Sequence, residues 1–369
     1  MGTRFSRPVS RPFGRADGRH GRLRAAARIA LAAMVALAIG VVVAACGGSS
    51  STTSGGSSDS GSSSSSGPID VVAYSTPETV YKDGLIPAFE KTSEGQGADF
   101  STSFGPSGDQ SRAVESGQKA SVVHFSIQPD MQRLVDAGKV DSNWDQNSYD
   151  GFVQDSVVVF VVRKGNPDNI QNWDDLVKPG VEVLTPNPFS SGGARWNLMA
   201  AYGAQLEEGK SDSQAQEYLK QLLGNTALQA PSASDSMTAF TQGKGDVALA
   251  YENEAIAAQK AGENVDYVIP DDTILIQTPI ATTTDGSSTA QDFVNWQYTP
   301  EAQQIWADNG YRPVVKSVLD KNAKEFPTPP GLFTIDKLGG WDEVTTKFFD
   351  ENNGIVTKDE QDLGVSTSG

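Results

Sequence analysis

From Ile69 onward, short apolar runs rich in β-branched residues alternate with stretches of helical spacing, and that alternation limits the chain to few architectures. IDVVAYS (69–75) reads as a strand, and VYKDGLIPAFEKTSE as a helix with Leu85 and Phe89 on one face. ADFSTSFG is a second strand, followed by a helix starting near Asp109, and SVVHFSI (121–127) a third, followed by the helix PDMQRLVDAGKV. SVVVFVVRKG (156–165) is continuously apolar, the pattern of a strand buried on both faces of a parallel sheet. VEVLTPNP, DVALAYE, YVIP and ILIQTPIATTT supply further strands, with a helix from Gly193 and others over EYLKQLLGNT, DSMTAFTQGK, ENEAIAAQKAG and STAQDFVNWQYTPEAQQIWADNG. This order predicts an α/β fold of mainly parallel sheets flanked by helices. Long strands near 156–165 and 270–284 join two such units, which predicts two lobes flanking a ligand cleft. Lobe I takes residues 68–160 and 272–369, and lobe II takes 161–271.

A chain of 369 residues is long enough for two domains with separate cores. Its 29 Lys+Arg against 46 Asp+Glu give a formal net charge of −17, which repels a phosphate backbone at long range, so nucleic acid is not an expected partner. With one cysteine and two histidines, a disulfide framework, Cys/His zinc sites, haem and iron–sulfur ligation all lack their ligands. No cofactor and no metal are expected.

The N-terminal segment stands apart. Arg4, Arg7, Arg11, Arg15, Arg19, Arg22, Arg24 and Arg28 face a single acid, Asp17, and are followed by the apolar run IALAAMVALAIGVVVAAC. A basic region, an apolar stretch and small residues before a break describe a signal peptide over 1–45, although the run is also just long enough for a membrane span. Val43-Ala44-Ala45-Cys46 resembles the lipobox of bacterial lipoproteins. That resemblance implies acylation of Cys46 after cleavage and anchoring on the extracytoplasmic face of the cell membrane. Residues 46–67 then form a Gly/Ser tether, too polar to fold, with a reach of roughly 25 Å.

Three strand-to-helix junctions share Ser at a helix start, two of them with Gly beside it: Gly105-Pro106-Ser107-Gly108, the segment from Pro186 to Gly193, and Pro231-Ser232-Ala233-Ser234. A helix N-terminus offers free N–H groups and a partial positive charge, which suits an anion. Ordinary capping explains the same residues. PNPFSSGGARWN (186–197) resembles the anion-binding segment of the sulfate/thiosulfate-binding proteins of ABC importers. FVVRKGNPDNIQNWDDLVKPGVEVLTPNP (160–188), KGDVALAYENEA (244–255), YRPV (311–314) and LFTIDKLGGW (332–341) resemble the same family in the same order.

The resemblance implies a two-lobed type II periplasmic-binding-protein fold. It implies a non-enzymatic, monomeric receptor that captures sulfate or thiosulfate and delivers it to the membrane permease of an ABC importer. It implies that Ser191, Gly192 and Gly193 supply a hydroxyl and backbone donors, that Ser107 belongs to a first-lobe loop, and that Ala233 gives a backbone donor. Ser75 stands where well-known members carry an aspartate whose backbone N–H is used. Tyr251 stands where they carry a tryptophan whose indole N–H donates. A side chain at Gly192 or Gly193 is expected to block closure or push the ion away.

Other residues invite competing readings. Arg195 is expected to hold structure by pairing with an acid near the hinge, and His124 to pack or line the cleft. Glu252 and Glu254 read as acids favourable to a helix dipole. Trp173, Trp196, Trp296, Trp306 and Trp341 read as core. The rival classes are a receptor for phosphate, molybdate or ferric iron, and a secreted ester hydrolase. The hydrolase needs a metal cluster or an activated nucleophile that this composition does not offer.

Overall fold

The computed structural model describes residues 68–367; the basic leader, Cys46 and the Gly/Ser tether lie outside the described residues. In chain order the strands are β1 (Ile69–Tyr74), β2 (Phe100–Gly105), β3 (Val122–His124), β4 (Phe152–Arg163), β5 (Val183–Pro186), β6 (Thr226–Ala230), β7 (Val247–Tyr251), β8 (Val265–Val268), β9 (Asp272–Thr282), β10 (Arg312–Pro313) and β11 (Gly331–Phe333). Helices fill the intervals, so the fold is mixed α/β.

Two parallel trios organise the sheet. β1 lies between β2 and β3 and is parallel to both. β5 lies between β6 and β7, again parallel to both. Between the trios run β9 and β4, which pair antiparallel with Asp155 opposite Gln277 and Val157 opposite Leu275. β9 then joins β3, and β4 joins β7, both antiparallel.

This corrects the reading of 156–165 as part of a parallel sheet. β4 is buried along nearly all its length, yet antiparallel to β7, β8, β9 and β10. A continuous apolar run reports that both faces are covered; it carries no information about strand direction. The sheets are accordingly mixed rather than mainly parallel.

The helical stretch read over 288–310 is two helices, Ser288–Trp296 and Pro300–Asp308. Thr299 caps the second, and Pro300 at its first position disfavours helical backbone in the residue before it.

Ile69, Val71, Tyr81, Phe89, Val122, Phe293 and Trp306 form the core beside the first trio. Phe160, Trp173, Trp196, Leu219 and Leu249 form the core beside the second, together with Phe333, Trp341, Phe348 and Val356 from the C-terminal stretch. Trp196 and Trp341 meet edge to face at 4.7 Å. The C-terminal stretch thus packs against segment 161–271, although sequence order suggested grouping it with 68–160. Trp296 is only partly buried, against the first core. No helix among the described residues is long and apolar enough to cross a membrane.

Candidate functional site

Ligands of open α/β sheets gather at the carboxyl ends of parallel strands, and here the loops after five such ends, those of β2, β3, β5, β6 and β7, meet. After β2, Ser107 opens the helix Ser107–Glu115. Its buried hydroxyl donates to Asp130 Oδ2 at 2.7 Å and accepts the Ser126 N–H at 2.9 Å. Asp130 also accepts from Arg133 at 3.0 Å. The next amide, Gly108 N–H, donates to the Ser190 carbonyl at 3.0 Å, so the loop after β2 touches the loop after β5 directly.

That second loop is built by its own polar side chains. Asn187 Oδ1 accepts the Phe189 N–H at 2.8 Å, an Asx turn. Ser190 Oγ donates to the Pro231 carbonyl at 2.7 Å, which ties the loop to the one after β6. Ser191 is the N-cap of the buried helix Gly192–Glu207, yet its hydroxyl makes no cap hydrogen bond. The amides of Gly192 and Gly193 fall in the first turn, where no carbonyl of the helix can reach them.

The two glycines are not equivalent. A Cβ on Gly192 would stand 2.7 Å from Ser126 Oγ and 3.1 Å from Ile127 Cγ1, closer than packed atoms tolerate. A Cβ on Gly193 would make ordinary contacts: 3.4 Å to Ser191 Oγ, and 3.5 Å to both Ala233 Cβ and Tyr251 Cε1. Against the protein's own atoms a Cβ is barred at Gly192 and accommodated at Gly193, which sits at the meeting point of the other residues.

The third loop differs again. Ser232 caps the helix Ala233–Thr241 by accepting the Asp235 N–H at 3.1 Å, and Ala233 follows at the first helical position. After β7, Tyr251 is fully buried, and its hydroxyl lies 2.6 Å from Ser126 Oγ. Burial raises its pKa well above the ordinary phenol value, so the hydroxyl keeps its proton. Its N–H donates to Glu254 Oε2 at 3.1 Å.

Six of the expected residues therefore converge: Ser107, Ser191, Gly192, Gly193, Ala233 and Tyr251. Ser75 is not tied to them by a hydrogen bond. It follows β1, and its carbonyl accepts the Glu78 N–H at 3.3 Å. The Tyr74 ring before it lies 6.4 Å from that of Tyr251.

Ser126 and Asp130 were missed in the sequence. Ser126 ends the strand run SVVHFS ahead of the helix Gln128–Asp136, the same kind of junction as the other three. Ending the third strand before Ser126, and not at Ile127, would have shown it as a fourth such junction.

Arg195 binds no carboxylate directly. Its Nε donates to the Pro188 carbonyl at 2.8 Å and its guanidinium lies over Phe349 at 4.7 Å, so it braces the loop after β5 from behind. Burial lowers its pKa to about 10, with Asp130 pulling the other way. His124 packs between Tyr81 Oη at 2.9 Å and Thr278 Oγ1 at 3.1 Å, and burial pulls its pKa down to about 3, leaving a neutral ring. Glu252 and Glu254 do open a helix. Glu252 also forms a buried two-pronged pair with Arg312, at 2.7 and 3.1 Å. Among the described residues no group of three or more His, Cys, Asp or Glu is placed to hold a metal ion.

The loops thus offer first-turn amides and neutral hydroxyls around one point, the donor set for an anion bound without a counter-charge. The profile of the bacterial extracellular solute-binding proteins matches residues 69–312. A sulfate-binding protein of Synechococcus elongatus is 39% identical over 292 residues, covering 76% of this chain and 83% of its own length. A thiosulfate-binding protein of Escherichia coli is 34% identical over 283 residues, covering 72% of this chain and 83% of its own. Among solved structures, the sulfate-binding protein SubI from Mycobacterium tuberculosis matches with a TM-score of 0.74 at 44% identity, covering 77% of this chain and 99% of that one.

Proposed function

This chain belongs to the bacterial extracellular solute-binding protein family, in its sulfate- and thiosulfate-binding branch, and from that premise we propose that it captures sulfate and passes it to an ABC permease. The observation that carries the reading is the convergence of the uncapping Ser191 hydroxyl, the glycine amides and Tyr251 at the ends of the two parallel trios. In this reading the anion accepts from Ser191 Oγ, from the backbone of Ser75, Ser107, Gly192, Gly193 and Ala233, and from Tyr251. Charge-assisted bonds of this kind contribute about 1.5–3 kcal/mol each, and several of them offset the cost of taking a dianion out of water. Lobes built on the two trios close over it by bending at β4 and β9. The mature chain begins at Cys46, acylated and anchored to the membrane, and acts as a monomer.

Calorimetry of the mature chain against sulfate, thiosulfate, phosphate and molybdate tests the reading. Sulfate should bind most tightly, near micromolar, or about −8 kcal/mol. Absence of sulfate binding, or turnover of a sulfate ester, sinks it. Small-angle scattering should show the radius of gyration falling on sulfate addition. Cys46→Ser should release the protein from the membrane into the medium.

A further inference from the structure

We propose that this receptor takes a second class of ligand, short aminoalkanesulfonates, with the sulfonate in the anion site and the ammonium held by Glu254 in the cavity beside it. This rests on the receptor reading above and adds to it a substrate class and the residue that selects it.

A cavity of about 400 Å³ opens between elements that follow the strands of both trios. Three of the loops assigned to the anion run straight on into its wall: Thr76 follows Ser75, Ser234 follows Ala233, and Glu254 lies three residues after Tyr251. Met237, Ala257 and Ala258 add aliphatic surface, which suits a short methylene spacer. Among the described residues no lysine, arginine or histidine lines the cavity, and its charged side chains are Glu254 and the exposed Glu263.

Glu254 is the group that selects a cation. It is 7% exposed, its Oε2 accepts the Tyr251 N–H at 3.1 Å, and among the described residues no basic side chain pairs with it. Glu252, two residues earlier, is buried as well, but Arg312 grips both its oxygens at 2.7 and 3.1 Å. The fold thus supplies a cation to one buried acid of this helix start and leaves the other on a cavity without one. At the same wall the hydroxyls of Thr76 and Tyr311 are buried and make no hydrogen bond. An ammonium carries three donors, which these oxygens and the carboxylate can accept. The protons of the two hydroxyls are no worse placed with the ammonium than without it. Burial pushes the Glu254 carboxyl up to about 7, and a cation beside it favours the ionised form. Folding has already taken the carboxyl out of water, so the hydration newly lost in forming the pair is that of the ammonium. Sulfate brings no cation and draws nothing from Glu254.

The test is calorimetry of the mature wild type and Glu254→Gln near pH 7, with sulfate, taurine, homotaurine, ethanesulfonate and propanesulfonate, each sulfonate also titrated in the presence of sulfate. On wild type, sulfate should displace taurine and homotaurine. The better of these two should bind about tenfold or more tightly than the alkanesulfonate of the same length, which lacks only the ammonium. Glu254→Gln should erase that advantage and leave sulfate within about threefold, since the glutamine amide oxygen still accepts the Tyr251 N–H. Retained sulfate binding reports that the variant folds, and the comparison of tails on wild type stands even if it does not. Neither aminosulfonate binding at millimolar concentration overturns the proposal. So does binding that sulfate fails to displace, no gain from the ammonium, or a gain that survives Glu254→Gln. Equal weakening of sulfate and aminosulfonate in the variant makes Glu254 a strut of the loop and also overturns it. A wild type that binds no sulfate fails the receptor reading instead.

Discussion

Ser191 and Ser232 both stand at the N-cap of a helix that follows a strand of the same parallel trio, yet only Ser232 caps. Its hydroxyl accepts the Asp235 N–H, whereas the Ser191 hydroxyl makes no such bond. The flanking sequences, PFSSGG and APSASD, advertise the same local chemistry. What separates them is the glycine pair after Ser191, which lets the first turn come close to Ser126 and Tyr251. A cap serine that does not cap is a better sign of a ligand than a cap serine alone.

The contrast can be broken most forcefully at Gly192. Gly192→Val should lower sulfate affinity by about 3 kcal/mol or more, through lost approach plus overpacking, with the helical content of the protein unchanged by circular dichroism. If affinity survives, the loop after β5 is not the one that closes on the anion.

A second test uses the junction after β7, where the cap is a carboxylate. Burial pushes Glu254 up to about 7, with the Tyr251 N–H bond opposing. Between about pH 4.5 and 7 the folded protein keeps this proton and the unfolded chain releases it, so the group lowers stability as pH rises through that window. Glu254→Gln removes the titration. Urea unfolding should therefore show the variant gaining on wild type by roughly 3 kcal/mol from pH 4.5 to 7. A gap that does not change with pH would show that Glu254 titrates normally.

Ser191→Ala should cost about 1.5–3 kcal/mol of sulfate affinity, as expected for one hydrogen bond to a charge, and almost nothing in unfolding free energy. Ser232→Ala should do the reverse: about 1 kcal/mol of stability, with sulfate affinity within about twofold. If calorimetry and urea midpoints give both serines the same profile, the two hydroxyls share one role and the contrast disappears.

Much of the fold was legible because local pattern and tertiary burial agree. β1 and β4 follow runs of β-branched residues, and the junctions after β2, β5 and β6 carry Ser at the start of a helix. The direction of β4 was not legible, since SVVVFVVR encodes covered faces and nothing about its neighbours. Ser126 was passed over because SVVHFSI reads as one strand, which places Ser126 inside the strand and not at a helix start. Its partner Tyr251 is 125 residues away, at a distance that only the packed sheet closes. The same holds for Asp130, whose carboxylate fixes Ser107 across 23 residues. Glycine spacing marked the 192–193 pair, but which member abuts the opposite loop depends on side chains that the local sequence does not name.

The antiparallel pairing of β4 with β9 has a mechanical consequence. The two trios are coupled through a hydrogen-bonded ladder that sets Ser156 against Ile276 and Val157 against Leu275. Sliding one strand past the other by a single residue would turn each buried side chain to the wrong face, so translation along the ladder is locked out. The motion this register leaves open to the proposed closure is bending of the two strands together, like a leaf spring with one axis. In the closure proposed above, loops carried on such a flexure would regain the same alignment on every stroke, so the spine of the molecule, and not the loops, would restore the distances among Ser107, Gly192 and Tyr251.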